Sequence, residues 1–162
     1  MVALYNWSID GGDGVDDYLV AFSSTGDALP YRGEDPSSAD TWQIKAGYYI
    51  GAMPEGYRPG VEYAGELYIL SAFGMISMHE IIKGTQPDMA APREISFKIS
   101  EVIRSEMLTL RTTKGWAMQF IPFEGTILIV SPVQTDGTYI QYILNITTGG
   151  WGFYRGLPIL ST

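Results

Sequence analysis

Three short apolar runs constrain this chain more tightly than anything else in it. Tyr18-Leu19-Val20-Ala21-Phe22, Leu67-Tyr68-Ile69-Leu70 and Ile127-Leu128-Ile129-Val130 are each bounded by turn-forming residues. Runs of this length are too short for a buried helix and read instead as strands at the centre of a sheet or buried on both faces. Each is followed at once by a serine, at Ser23, Ser71 and Ser131, and then by a glycine-containing turn. The turns are Ser24-Thr25-Gly26-Asp27, Ala72-Phe73-Gly74 and Gln134-Thr135-Asp136-Gly137, and a second strand-like run returns after each. Three β-hairpins are the natural reading. The 19 glycines, 9 prolines and 11 tyrosines fit many short strands joined by turns.

The hairpins recur with a period. Ser23 and Ser71 lie 48 residues apart, and Ser71 and Ser131 lie 60 apart. Trp7 and Trp42 flank the first hairpin at a separation of 35, and Trp116 and Trp151 flank the third at the same separation. The middle unit has no tryptophan at the matching places. A period near 40–50 residues with one small sheet per unit is the mark of propeller blades. The longer second interval is explained by a helix at about 95–111. Ile95, Ile99, Val102, Ile103, Met107 and Leu110 form one apolar stripe, with Lys98, Glu101, Arg104 and Ser105 off it. Ser96 or Ser100 is placed to cap its start, and Pro87 and Pro92 mark the loop before it. The expected architecture is mainly β: antiparallel sheets from repeated hairpins, β-propeller-like, with one amphipathic helix inserted between blades. Propellers generally close with four to eight blades. Three units over 1–162 therefore read either as one β-rich domain cut from a longer propeller-containing protein, or as one whose edges are covered by the helix, by swapping or by neighbouring subunits.

Composition removes several classes of function. With 10 Lys and Arg against 18 Asp and Glu, the net charge of −8 leaves little for the basic face that duplex binding needs. The absence of cysteine excludes disulfides, thiol nucleophiles, Fe–S clusters and zinc knuckles, and the single histidine, His79, cannot build a multi-histidine metal site. The N-terminal residues Met1 to Trp7 lack a basic segment and a signal-length apolar stretch, so secretion by a signal peptide is not expected. No apolar run approaches the length of a membrane span.

Four groups of residues invite a chemical reading. Asp10-Gly11-Gly12-Asp13-Gly14-Val15-Asp16-Asp17 contains one match to a calcium-binding nonapeptide, but that site needs stacked copies and only one is present, so a flexible acidic turn leading into a buried strand is the preferred reading. Glu34, Asp35 and Asp40 lie in one loop, where a carboxylate pair would serve glycoside hydrolysis if two faced one cleft; loop acids beside Pro and Ser more often cap turns. His79 follows a strand-like segment beside Glu80, and neighbours in a strand face opposite ways. Tyr48, Tyr49, Tyr57, Tyr63, Tyr139, Tyr142, Phe153 and Tyr154 suit either a sugar- or subunit-contact surface or ordinary strand packing. No catalytic, cofactor-binding or metal-ligating residue is predicted, and the chain is not expected to be an enzyme.

The wording of several stretches is familiar. Ile9 to Phe22, Tyr31 to Trp42, Gly65 to Leu70, and Tyr139 to Asn145 through Thr148-Gly149-Gly150-Trp151 form a series that resembles bacteriophage and prophage virion structural proteins of short-tailed phages. The likeness runs from about Trp7 to about Pro158, and the loop before Trp42 departs from the pattern by carrying Gly33-Glu34-Asp35-Pro36. The resemblance implies a tail or head–tail component of the tubular or nozzle kind, built from β-propeller-containing rings that guide DNA outward. It implies homo-oligomers and other virion proteins as partners, DNA only as non-specific passing cargo, and a place in the virion after assembly in the host bacterial cytoplasm. It brings no catalytic residues. The competing expectation is a calcium- or carbohydrate-binding β module, motivated by the Gly-Asp-rich turn at 10–17 and the tyrosine-rich strands.

Overall fold

A computed structural model describes residues 1–10, 15–33, 35–83 and 99–158. The first sheet is built from β1 (Ala3–Asp10), β2 (Val15–Phe22), β3 (Asp27–Arg32), β4 (Gln43–Ile44) and β5 (Tyr48–Tyr49), in the order β1-β2-β3-β4 with β5 also on β3. Its pairing register explains its two faces. Tyr5 lies opposite Val20 and Trp7 opposite Tyr18, so these side chains share the face that packs into a core. One residue out of phase, Leu4 is opposite Ala21, Ala21 opposite Leu29, Leu19 opposite Tyr31 and Tyr31 opposite Ile44, which puts an apolar set on the other face.

The middle sheet is a meander of β7 (Gly60–Tyr63), β8 (Glu66–Ser71) and β9 (Gly74–Ser77), followed directly by a short helix, α1 (Met78–Lys83). After the helix α2 (Ser100–Leu110) comes a third sheet, a meander of β10 (Trp116–Ile121), β11 (Thr126–Val130), β12 (Ile140–Asn145) and β13 (Gly150–Arg155). The strand β6 (Gly56–Arg58) joins it parallel to β10. The three apolar runs of the sequence thus fall on β2, β8 and β11, each a strand with neighbours on both sides. Among the described residues the sheets are mainly antiparallel, helices are two, and no closed barrel or propeller is formed.

Strand alternation in the middle sheet makes it a wall between two cores. Leu67 and Ile69 of β8, with Ile76 of β9, pack with Trp7, Val20 and Phe22 of the first sheet. Their neighbours Leu70 and Met75 point the other way and pack with Ile103 and Met107 of α2 and Trp116, Met118 and Ile129 of the third sheet. A strand that must bury both faces reads as a continuous apolar run, and this is why β8 and β11 lack polar alternation.

The serines after the three runs have a common mechanical role. Ser23 Oγ accepts hydrogen bonds from the Asp27 and Gly26 N–H groups, at 2.9 and 3.2 Å. Ser71 Oγ accepts from Phe73 N at 3.1 Å. Ser131 Oγ donates to Ile140 O at 2.9 Å, across to the returning strand. Each hydroxyl satisfies backbone groups where the ladder stops, which is what a short polar side chain does in a turn. Gly26, in the first of these turns, has φ +108 and lies against the backbone of Gly51, where a Cβ would stand 2.5 Å from the Gly51 carbonyl carbon. Ser131 is buried and its hydroxyl also accepts from Gln134 Nε2. Ser131→Ala is expected to cost about 1 kcal/mol, read as a shift of the urea midpoint without a change in slope.

Two expectations require correction. The helix is observed over Ser100–Leu110, its proposed beginning at Ile95 lying outside the described residues together with Ser96. Ile103, Met107 and Leu110 are buried, but Val102 is half exposed, because only a narrow stripe of α2 meets the second core. The N-cap position is Ile99 with no side-chain cap, and Ser100 is the first residue of the helix. His79 stands in α1 rather than on a strand: Met78 continues the inward set of β9, and the chain then turns helical, with Ser77 Oγ accepting from Glu80 N.

Candidate interaction surface

Two edge strands and the apolar faces beside them stand out. β1 pairs only with β2, and β13 pairs only with β12, among the described residues. β13 keeps an unbroken six-pair register with β12, from Ile140 opposite Arg155 to Asn145 opposite Gly150. Gly156 N donates to Tyr139 O, so in the alternating antiparallel pattern Gly150, Gly152 and Tyr154 exchange hydrogen bonds with β12, while Trp151, Phe153 and Arg155 turn theirs to the free side. Phe153 is 60% exposed and Tyr154 55%. The guanidinium of Arg155 lies 5.5 Å over the Phe153 ring. At the other end of the stack, the outer face of the first sheet shows Leu4, 47% exposed, and Ile44, 50% exposed, around Leu19, Ala21, Leu29 and Tyr31. An exposed strand edge flanked by aromatic and aliphatic groups is a surface equipped to take another strand or sheet.

A polar group sits under β13. Glu106 of α2 is close to Tyr142 of β12, to Gln134 and to Arg155, and burial pushes its carboxyl above the ordinary range, against the smaller opposing pull of Tyr142, Arg155 and Gln134. Glu106 Oε2 and the buried Tyr142 hydroxyl make no well-formed hydrogen bond, and burial together with the neighbouring carboxylate drives the Tyr142 hydroxyl upward as well. A carboxyl raised in the folded state favours folding when protonated, so its contribution is fully present below the ordinary carboxylate range and is lost as pH rises through the raised value. Glu106→Gln should therefore stabilise the protein at neutral pH, with the difference from wild type closing as pH falls. Denaturant titrations over a pH series check this.

The other predicted positions are scattered. Gly11–Gly14, the glycines of the calcium-like turn, lie outside the described residues, as does Glu34. Of the acids that follow the turn, Asp16 pairs with Arg32 and Asp17 accepts from Ser8 Oγ at 2.5 Å. Asp35 accepts from the N–H and hydroxyl of Ser37, at 2.9 and 2.7 Å, and these bonds hold its carboxyl below the ordinary range. That is the turn-capping role of a loop acid. Asp40 instead lines an open cleft of about 630 Å³ with Arg32, Gly33, Thr41, Gln43, Ile44 and Lys45. The ring of Tyr31 stacks on that of Trp42, 6.1 Å between centroids. His79 donates its backbone N–H to Glu66 Oε1. No group of three His, Asp or Glu side chains arranged to hold a metal ion occurs among the described residues.

The tyrosines divide by place. Tyr142 is buried, Tyr63 packs on Phe120 with centroids 4.0 Å apart, Tyr48 and Tyr139 are half-buried, and Tyr49 is exposed and meets Phe73 edge-on. The position of Tyr57 is on β6, and its side chain lies outside the description. Sequence reasoning missed Glu106 and Arg155. Nothing local marks them, since what singles them out is the packing of α2 and the last strand around them. No helix among the described residues is long and apolar enough to cross a membrane. Compared with known proteins, the chain matches no family model and no curated sequence.

Proposed function

We propose that this chain is a structural protein of a phage virion, a tail or head–tail component that works by assembling with further subunits rather than by catalysis. The observation that carries the reading is a face-to-face stack of meanders with β1 and β13 both left as unpaired edges among the described residues. Consecutive small meanders packed through their faces are how propeller blades sit together, and we read the stack as a partial propeller. The tryptophan repeat supports this: Trp7 and Trp116 each sit, fully buried, on the first strand of a four-strand meander, at β1 and β10. The motif series of short-tailed phage virion proteins points the same way. The charge of −8 suits a wall along which DNA passes without being gripped.

The reading makes the virion the chain's place of residence. Mass spectrometry of purified particles, released from a host carrying the gene, is expected to find the chain in several copies per particle. Its absence from particles that contain their portal and tail proteins would overturn the assignment. A second reading, a carbohydrate-binding module, is favoured by the cleft of Arg32, Asp40, Gln43 and Lys45 beside the stacked Tyr31 and Trp42. A glycan array separates the two, because the structural role expects no glycan to be retained.

A further inference from the structure

We propose that copies of this chain join head to tail by strand addition, the free edge of β13 in one copy pairing with the free edge of β1 in the next. The inference rests on the assembly reading and names its interface. The chemistry of β13 specifies the kind of partner. The N–H and C=O groups of Trp151, Phe153 and Arg155 face away from β12, and only an extended strand satisfies such a row in sequence. Natural edges are usually blunted by lysine, proline, a bulge or shortness. β13 has none of these: its sequence is Gly-Trp-Gly-Phe-Tyr-Arg, its register is unbroken, and its one charge is at the end. Among the described residues β1 is the other long edge with no second neighbour, eight residues from Ala3 to Asp10, and its sequence too carries a single charged residue, Asp10, at its end.

Charge decides between the available pairings. β13 against β13 brings together two strands whose only charge is positive, and β1 against β1 two whose only charge is negative. β13 against β1 joins the two signs, and a parallel alignment sets Arg155 alongside Asp10. Arg155 is exposed and makes no ion pair within 4 Å among the described residues, although its charge also acts at longer range on Glu106 and Asp136. In that register Phe153 lies alongside Ser8. The two edges lie on different sheets of one chain, so the contact is heterologous, and repeating it yields a ring where the rotation closes and a filament where it does not.

The absence of cysteine gives a clean test on the full chain. Phe153→Cys and Ser8→Cys are made separately, mixed, and treated with an oxidant or a short bismaleimide, whose reach covers neighbouring registers. The mixture is expected to give a covalent dimer that neither variant gives alone. In parallel, Phe153→Pro removes an outward N–H without touching the β12 ladder, and should weaken association by at least about tenfold while leaving the circular dichroism melt in place. Should that variant fail to fold, Arg155→Glu serves instead: it should weaken association, and the double variant with Asp10→Arg should restore it. An oligomer in light scattering that resists these changes and gives no mixed cross-link overturns the β13–β1 interface and leaves assembly through another surface. A monomer at every concentration overturns both the interface and self-assembly of the free chain, while the virion assignment stands or falls on the particle analysis.

Discussion

Replacing Trp116 by alanine is expected to cost about 3–5 kcal/mol of stability and to lower Tm by on the order of 10 °C. The side chain is fully buried in the second core, on the first strand of the third sheet, where α2 and the middle sheet close over it. Its Nε1 also donates to Leu110 O at 3.0 Å, which satisfies a carbonyl in the last turn of α2 that has no partner within the helix. Alanine removes the packing and one of the two donors on that carbonyl, which keeps only the Thr113 N–H at 2.9 Å. Trp116→Phe keeps most of the buried area and loses the hydrogen bond, so it should cost only about 1–2 kcal/mol. Trp7 is the counterpart in the first core, fully buried, with Nε1 donating to Gly65 O at 2.8 Å. Trp7→Ala should therefore cost a similar amount by the same mechanism. Calorimetry of the two variants tests the wall between the cores. Because β8 contributes Ile69 to one and Leu70 to the other, both variants should still unfold in a single transition. Two separated transitions would mean that the cores melt independently.

What the sequence makes legible here is local, and what it conceals is pairwise. The runs at Leu67–Leu70 and Ile127–Val130 announce central strands because burial on two faces requires apolar side chains at every position. The serines after them announce turns because a hydroxyl is the shortest group that reaches back to the backbone. Of the four spaced tryptophans, Trp7 and Trp116 are fully buried on the first strands of their sheets, whereas Trp42 lies in the loop before β4 and Trp151 on β13. The apolar stripe reads too widely at Val102, whose character does not reveal that Ile99, Ile103, Met107 and Leu110 meet the second core while Val102 stays exposed. His79 was misplaced because Ser77 and Met78 belong to a strand pattern until Ser77 Oγ starts the helix at Glu80 N. The parallel seam of β6 on β10 joins residues some sixty positions apart and leaves no periodic trace. The same holds for the candidate surface. Phe153, Tyr154 and Tyr142 look alike in sequence, and only their pairing partners leave the first two at an edge and bury the third.

Gly56→Ala is expected to destabilise the protein by about 3 kcal/mol. A Cβ at that position would stand 2.1 Å from the carbonyl oxygen of Trp116, and 2.9 Å from its carbonyl carbon. Those are backbone atoms of β10, so no rotamer change relieves the overlap, and β6 must move away from the strand it pairs with. The displacement would spread, because Glu55 N donates to Arg111 O at 2.7 Å immediately beside the seam, linking it to the end of α2. β7 begins at Gly60, two residues after β6 ends, so the same shift pulls on the first strand of the middle sheet. Gly47→Ala is the control. Its Cβ would meet only Leu29 Cδ2, at 3.6 Å, an ordinary contact, and the change should stay within about 0.5 kcal/mol. Denaturant unfolding of the two variants side by side decides the point. A Gly56→Ala protein as stable as Gly47→Ala would mean that the second core alone seats the third sheet against the middle one. A loss of the expected size would make the β6 seam the backbone clamp that fixes the spacing of the stack, and with it the distance between the free edges at β1 and β13.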